Sequence, residues 1–373
     1  MTSDKPTPAA SKPRESRGFW AESWRNFRRR PQAMIALTYV VFLSIIALTA
    51  PMIVGVRPIV CEYKGEIHFP CTYYYYRILG FNKQAYKTEA VFINDKFRGV
   101  YPENLKKNDP DSWAIWPLVY QDPYRPIEGE EWPNQPANPY GDDGKPNKFN
   151  LLGTDKDGVD VFAQMVHGTQ ISLLVGFVSM GIAASIGIVV GALAGYYGGW
   201  IDTILSRLIE VMMCLPTLVL ILAVRSILDD ITIWHLMVLI GVTGWTGVAR
   251  LTRAEFLKIR EIEYVSAARS LGAGQLRLMF VHILRNALAP ILVPISFGIA
   301  SAILTEGALS FLGFGAPPPN PSWGTLLSVG RTKIDSMWWL VVYPGLAIFS
   351  TVLAYNLIGE GVQEATDPRT REG

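Results

Sequence analysis

The sequence is poor in the residues that build reactive centres. It holds three cysteines, none in a CxxC spacing, and four histidines, too few and too scattered for a zinc or iron–sulfur site. No phosphate loop of the form GxxxxGK[ST] occurs, so the usual backbone cradle for a nucleoside triphosphate is missing. Charge is also scarce: 18% of the 373 residues are charged, and 34 basic against 32 acidic side chains leave a net charge of +2. The arginines gather beside apolar segments rather than over a polar face, which leaves no nucleic-acid footprint. Half of the chain is hydrophobic, a composition for a bilayer rather than for one soluble core.

Residues 1–30 read as a cytoplasmic tail that turns basic and aromatic in GFWAESWRNFRRRP, with Arg25, Arg28, Arg29 and Arg30 just ahead of Pro31. The uncharged run over 33–56, in a first transmembrane segment of 31–56, supplies the ~20 residues needed to cross the hydrocarbon core. It is longer than the apolar part of a cleaved signal peptide, and the arginines beside it predict an inside N-terminus. Further apolar runs at 171–197, 209–228, 231–248, 287–309 and 338–357 make six spans, five of them in a core over 168–359. The loop 250–286 and the tail 360–373 then fall inside. Arg250, Arg253, Lys258, Arg260, Arg269, Arg277 and Arg285 outnumber Glu255, Glu261 and Glu263 there, while the Asp229, Asp230 turn is acidic and outside. Arg331 and Lys333, outside in this order, run against the rule. The polar stretch 57–167 reads as an extracytoplasmic insert with short strands in IVCEYKGEIHF and AVFIND and loop chemistry in WPNQPANPYGDDGKPNKFN. A disulfide between Cys61 and Cys71 and two free thiols both fit the sequence on that oxidising side. The expected fold is an all-α polytopic membrane protein of six transmembrane helices, with a small mixed extracytoplasmic insert after the first.

Gly187, Gly191, Gly195 and Gly199, four apart, share one helix face and allow close approach of a second backbone, as a packing ridge or a hinge. Arg207 and Glu210 sit three apart as a local pair. By depth, Arg225 and Glu306 could neutralise each other inside the membrane, or Glu306 could meet a solute's amino group. Gln170, Ser172, Trp338 and Trp339 read as packing and interfacial anchors. His167 and His282 lack a nucleophile beside them, which weighs against a membrane hydrolase, and Cys214 reads as a small filler.

Inside the loop, residues 254–271 favour helix until Gly272, the expected residue just past a helix end. Tyr264, Ala267, Ala268 and Leu271, at spacings of three and four, form a small-residue face with larger flanks. Such a helix lies on lipid headgroups or seats in a protein groove; bulkier residues than these alanines suit the first.

YVSAARSLGAGQLRLMFVHILRN resembles the cytoplasmic EAA-type loop of ABC importer permeases, with Ala267, Ala268 and Gly272 at the motif's spacing. LGTDKDGVDV, GTQISLLVGF, GALAGYYGGWID, LSFLGFGAPPPNPSWG and YNLIGEGVQEATDPR resemble, in order, segments of the permease family for dipeptides, oligopeptides and nickel. The long insert resembles the subgroup associated with microcin C and oligopeptide uptake. Departures are Ser266 at the motif's glutamate, Arg285 where such loops read HILPN, Val159 in GVD for GRD, and Gln170 for an arginine. Without a proline at 285 the helix is expected to run straighter.

The resemblance implies a six-span permease that pairs with a second homologous permease in the inner membrane, with both termini cytoplasmic. Two ATP-binding subunits would bind ATP and Mg and hydrolyse the nucleotide, leaving this chain without a cofactor, metal or catalytic residue, and an extracytoplasmic solute-binding protein would deliver a peptide or peptide-like solute. Glu263, Tyr264, Ala267, Ala268, Leu271 and Gly272 would form the ATPase-coupling surface. Nickel or another small solute is the alternative within the family. A secondary transporter is the alternative outside it, and it would need more intramembrane proton carriers than Glu306. No residue names the solute.

Overall fold

The computed structural model describes residues 19–79, 101–126, 144–147, 150–227, 232–315 and 320–366. The tails 1–18 and 367–373, AVFIND, most of WPNQPANPYGDDGKPNKFN and the Asp229, Asp230 turn lie outside the described residues.

Apolar runs fold as helices because in lipid each backbone amide must bond within its own segment. α1 (Phe19–Arg28) leads to α2 (Pro31–Ile53), whose proline occupies the first turn, where a missing N–H loses no bond. The insert contains β1 (Val60–Tyr63), β2 (Glu66–His68), α3 (Tyr73–Leu79), α4 (Tyr101–Asn108) and β3 (Trp113–Ile115), with β1 central in the antiparallel order β2–β1–β3. Lys64 and Gly65, at φ 52° and 76°, turn the first hairpin, the two left-handed residues a type I′ turn requires. Strand alternation sends Cys61 and Tyr63 inward against Leu105. Both Cys61 and Cys71 are buried and free, which corrects the disulfide alternative: the Cys71 thiol points at the Ile59 carbonyl, 3.4 Å away, and Cys61 is used in the Leu105 cluster. Burial pushes the Cys61 thiol up to about 11.

The bundle continues with α5 (Val161–Tyr197), α6 (Gly199–Cys214), α7 (Thr217–Ile227), α8 (Ile233–Gly244), α9 (Thr246–Ile259), α10 (Glu263–Ser270), α11 (Gln275–Phe311), α12 (Trp323–Arg331) and α13 (Trp339–Thr366). Among the described residues, α2, α5, α11 and α13 are long and apolar enough to cross a membrane, and α6 with α7 makes a fifth span if that pair, bent by 81°, is counted as one. Two expected spans are therefore redrawn. The run at 209–228 starts instead at Gly199 and breaks at Leu215, whose extended backbone (φ −81°, ψ 126°) precedes Pro216, the conformation a following proline favours. The run at 231–248 is the 12-residue α8, continued after Trp245 by α9. Arg285 lies in helix, with a π-helical turn over Leu278–Ile283 just before it.

Side-chain contacts fix which ends meet. His167 Nε2 donates to Val54 O at 2.8 Å, joining the end of α2 to the start of α5 beside the insert. Trp339 Nε1 donates to Thr154 O at 2.9 Å, bringing the start of α13 to the same end. At the opposite end Arg30 pairs with Glu364, and Arg260 reaches Gly195 O at 3.1 Å. The chain over 199–260 thus leaves that opposite end and returns to it, the parity that six crossings would give.

α9 lies along α5 on the glycine ridge. A Cβ at Gly187 would meet Val248 Cβ at 2.7 Å, one at Gly191 would meet Thr252 Cβ at 2.7 Å, and one at Gly195 would meet Phe256 Cβ at 2.6 Å. The ridge is packing, and it ends at Gly195: Gly199 has nothing within 4 Å and opens α6 at φ 53°. Replacing Gly191 by valine should cost about 3 kcal/mol by overpacking, read as a lower unfolding midpoint in detergent, whereas Gly247→Ala, where a Cβ meets only open space, should leave it unchanged. With no reductant present, Cys61 and Cys71 should both take up maleimide after denaturation; a requirement for prior reduction would show them bonded.

Candidate functional site

The loop after α9 is held from behind by charge. Arg253, on α9, forks onto Asp202 near the start of α6, with Nη2 2.7 Å from Oδ2 and Nε paired to Oδ1. A two-pronged guanidinium–carboxylate contact fixes direction as well as distance. About two turns later Arg260 binds the last carbonyls of α5, Gly195 O and Tyr196 O, and pairs with Glu261. The single helix expected over 254–271 is thereby divided: α9 stops at Ile259, the chain turns through 260–262, and α10 begins at Glu263.

α10 carries Glu263 in its first turn and Arg269 in its last, the signs that suit the helix dipole. Gly272, at φ 84°, ends it. Its N–H donates to Arg269 O while Ala273 N donates to Ala268 O, a Schellman cap in which only a residue tolerant of the left-handed region fits. A Cβ on Gly272 would meet nothing within 4 Å, so conformation alone selects glycine there.

One face of α10 turns inward. Val265 is fully buried with Leu278, Met279 and Ile283 in the main core, and Ala268 packs on the same cluster. The Tyr264 hydroxyl accepts from Asn286 Nδ2 at 2.7 Å and reaches back to His282 O, tying α10 to the first turns of α11. The other face is open: Ala267 and Glu263 are exposed, Tyr264 shows its ring, and Leu271 is 88% exposed. Leu276, Phe280 and Val281 extend this apolar surface. The two alanines expected to share a shallow face therefore part, because consecutive helix positions point about 100° apart: Ala267 looks out and Ala268 looks into the protein.

At the far end, Glu306 of α11 is fully buried, and its Oε1 accepts from Ser310 Oγ and Ser322 Oγ, each at 2.7 Å. Ser322 also caps α12, accepting from Thr325 N. This corrects the Arg225–Glu306 pair expected by depth: no ion pair joins them among the described residues, and Glu306 Oε1 is taken by the two serines. Arg207 and Glu210 do pair on the surface, at 2.5 Å. Gln170 Nε2 donates to Ala47 O, Ser172 Oγ accepts from Trp323 N, and His167 is buried against Val54, all structural uses. In LGTDKDGVDV, Asp155 accepts from Asp157 N and Val159 N, and Asp160 caps α5 through Ala163 N. No group of three His, Cys, Asp or Glu among the described residues could hold a metal. Sequence reasoning missed the Asp202–Arg253 clasp, whose partners lie 51 residues apart, and α12, signalled only by the capping pair Ser322 and Thr325.

Two family models match, one for the binding-protein-dependent transport system inner membrane component over residues 187–372, the other for the N-terminal TM domain of oligopeptide transport permease C over residues 18–64. The peptidoglycan transport system permease protein YejE of Agrobacterium fabrum is 32% identical over 370 residues, covering 93% of this chain and 92% of that protein. The chain belongs to this permease family. The dipeptide transport system permease protein DppC of Haemophilus influenzae is 42% identical to this permease over 226 residues, 61% of this chain and 76% of that protein. A chain of the inward-facing MetNI methionine ABC transporter overlaps 54% of this permease and 97% of its own length at 18% identity, with a TM-score of 0.44.

Asp202→Ala should free Arg253, leave a half-buried cation unpaired, and lower stability by about 2 kcal/mol. The check is a lower unfolding midpoint, together with faster proteolysis between α9 and α10 than in the wild type.

Proposed function

We propose that this permease is the transmembrane subunit of an ATP-driven ABC importer for peptides or peptide-like solutes. The observation that carries the reading is the match to a peptidoglycan transport permease along 93% of the chain, insert included; the dipeptide permease supports the same solute class. ATP hydrolysis is the work of partner subunits, as it is throughout this family. In this reading the chain lines the pathway with a second homologous permease, two ATP-binding subunits with their Mg and ATP sit beneath, and a binding protein delivers the solute from the insert's side. The end carrying α10, Arg30 and Glu364 faces the cytoplasm, as the basic residues around it favour; the insert faces outward in the inner membrane.

α10 is the coupling element. Its open face, Tyr264, Ala267 and Leu271 flanked by Glu263, is small and apolar at its centre, a shape that seats in a groove of an ATP-binding subunit. Its buried face is anchored through Val265, Ala268 and the Tyr264–Asn286 bond to α11. Closure of the ATP-binding subunits therefore pushes on a lever already fixed to a membrane-spanning helix, and α11 tilts as a rigid element.

Ala267→Arg should abolish ATP-driven uptake and co-purification of the ATP-binding subunits while membrane insertion stays normal. Ala268→Arg should instead lower the yield of folded permease, because it drives a charge into the protein's own core. Normal uptake by the Ala267 variant at matched expression would remove α10 from the coupling role.

A further inference from the structure

A cavity of about 230 Å³ opens within the bundle between α5, α7, α8, α9 and α11. Six hydroxyls line it: Ser179, Thr217, Thr243, Thr246, Ser301 and Thr305. No charged side chain of the described residues does. Thr217, the first residue of α7 after the bend at Leu215 and Pro216, lines it at the end of that helix. Gly244 and Gly298 keep the walls low, and Met180 lies over Gly298, where any Cβ would collide with its sulfur.

Three of the six hydroxyl protons are committed to backbone carbonyls. Ser179 Oγ donates to Met237 O at 2.9 Å, Thr243 Oγ1 to Leu239 O at 2.9 Å and Thr305 Oγ1 to Ser301 O at 2.8 Å. A hydroxyl that spends its proton on a backbone carbonyl keeps lone pairs for a guest. The wall is therefore rich in acceptors, uncharged, and flanked by apolar surface. Ordinary small-molecule pockets hold roughly 300–1,000 Å³, so this cavity has room for only a segment of a peptide.

We infer that this hydroxyl-lined cavity is the permease's own contribution to the solute site, and that it binds the backbone N–H groups of a peptide. The inference rests on the peptide reading above and adds to it where the peptide is held and by what chemistry. Main-chain N–H donors recur at every residue whatever the side chain, and a wall of neutral acceptors reads them without reading sequence. The absence of lining charge has the same sense: no side chain of one sign is repelled or trapped during passage. Neither Glu306, closed off by Ser310 and Ser322, nor the α10 surface takes part.

The test uses the complete complex, this permease with its second permease, ATP-binding subunits and binding protein, reconstituted in liposomes with ATP. The probes are radiolabelled tetra-alanine and tetra-alanine methylated at its backbone nitrogens, which lacks those donors. Wild type should carry the first faster than the second. The double variant Thr246→Val with Thr305→Val, close in shape but without the hydroxyls, should carry tetra-alanine about tenfold more slowly, the loss of roughly two hydrogen bonds, and its preference for tetra-alanine over the methylated probe should be narrower than that of wild type. Since both complexes share one binding protein, its own selectivity cancels from the comparison. Thr246→Ser with Thr305→Ser should behave as wild type. Uptake of both probes at wild-type rates by the valine pair, a loss equal for both probes, or failure of the serine pair overturns the cavity assignment alone. A wild-type complex that carries neither probe overturns the peptide reading and this inference with it.

Discussion

The close approach of α5 and α9 along Gly187, Gly191 and Gly195 is the constraint on which the rest of the bundle depends. Lipid gives helices no hydrophobic reason to associate, so backbone proximity and the packing it allows must supply the attraction. Three glycines bring Val248, Thr252 and Phe256 directly over the α5 backbone. That contact sets where α9 ends. Its end sets where Arg253 meets Asp202 and where Arg260 meets the last carbonyls of α5. The turn into α10, and so the direction its open face looks, is the outcome of these steps.

The two ends of the bundle differ in kind. Around the insert, polar side chains bond to one another and to backbone: Asp155 with Gln164, Glu306 Oε1 with two serines, His167 Nε2 and Trp339 Nε1 with carbonyls. Around α10 the surface is apolar and open at Leu271, Leu276 and Phe280. In the coupling reading proposed above, this open apolar surface is the part of the permease left for another protein to cover.

What could be read from the sequence was what neighbouring residues decide. The strands in IVCEYKGEIHF, the Gly272 cap, the glycine ridge and the four long apolar helices each have a local cause, a left-handed backbone requirement or a period in the residue pattern. The Asp202–Arg253 clasp and the serines on Glu306 have none, because their partners meet only after helices from distant parts of the chain have packed. The split between Ala267 and Ala268 failed for a related reason: spacing identifies a helix face but not which side of it the core will claim. Pro216 was visible, yet whether a proline bends a span slightly or breaks it into two helices is settled by the neighbours, and here the break is 81°.

The pairing of Arg30 with Glu364, and of Phe27 with Gly361, also bears on how the molecule is made. α2 leaves the ribosome long before one of its main neighbours, α13. It must therefore wait in the bilayer, with α5 the earlier of its partners, until α13 arrives. A chain truncated ahead of α13 would leave uncovered the face of α2 at Ala33 and Tyr39, which packs on Gly361 and bonds to Ser350.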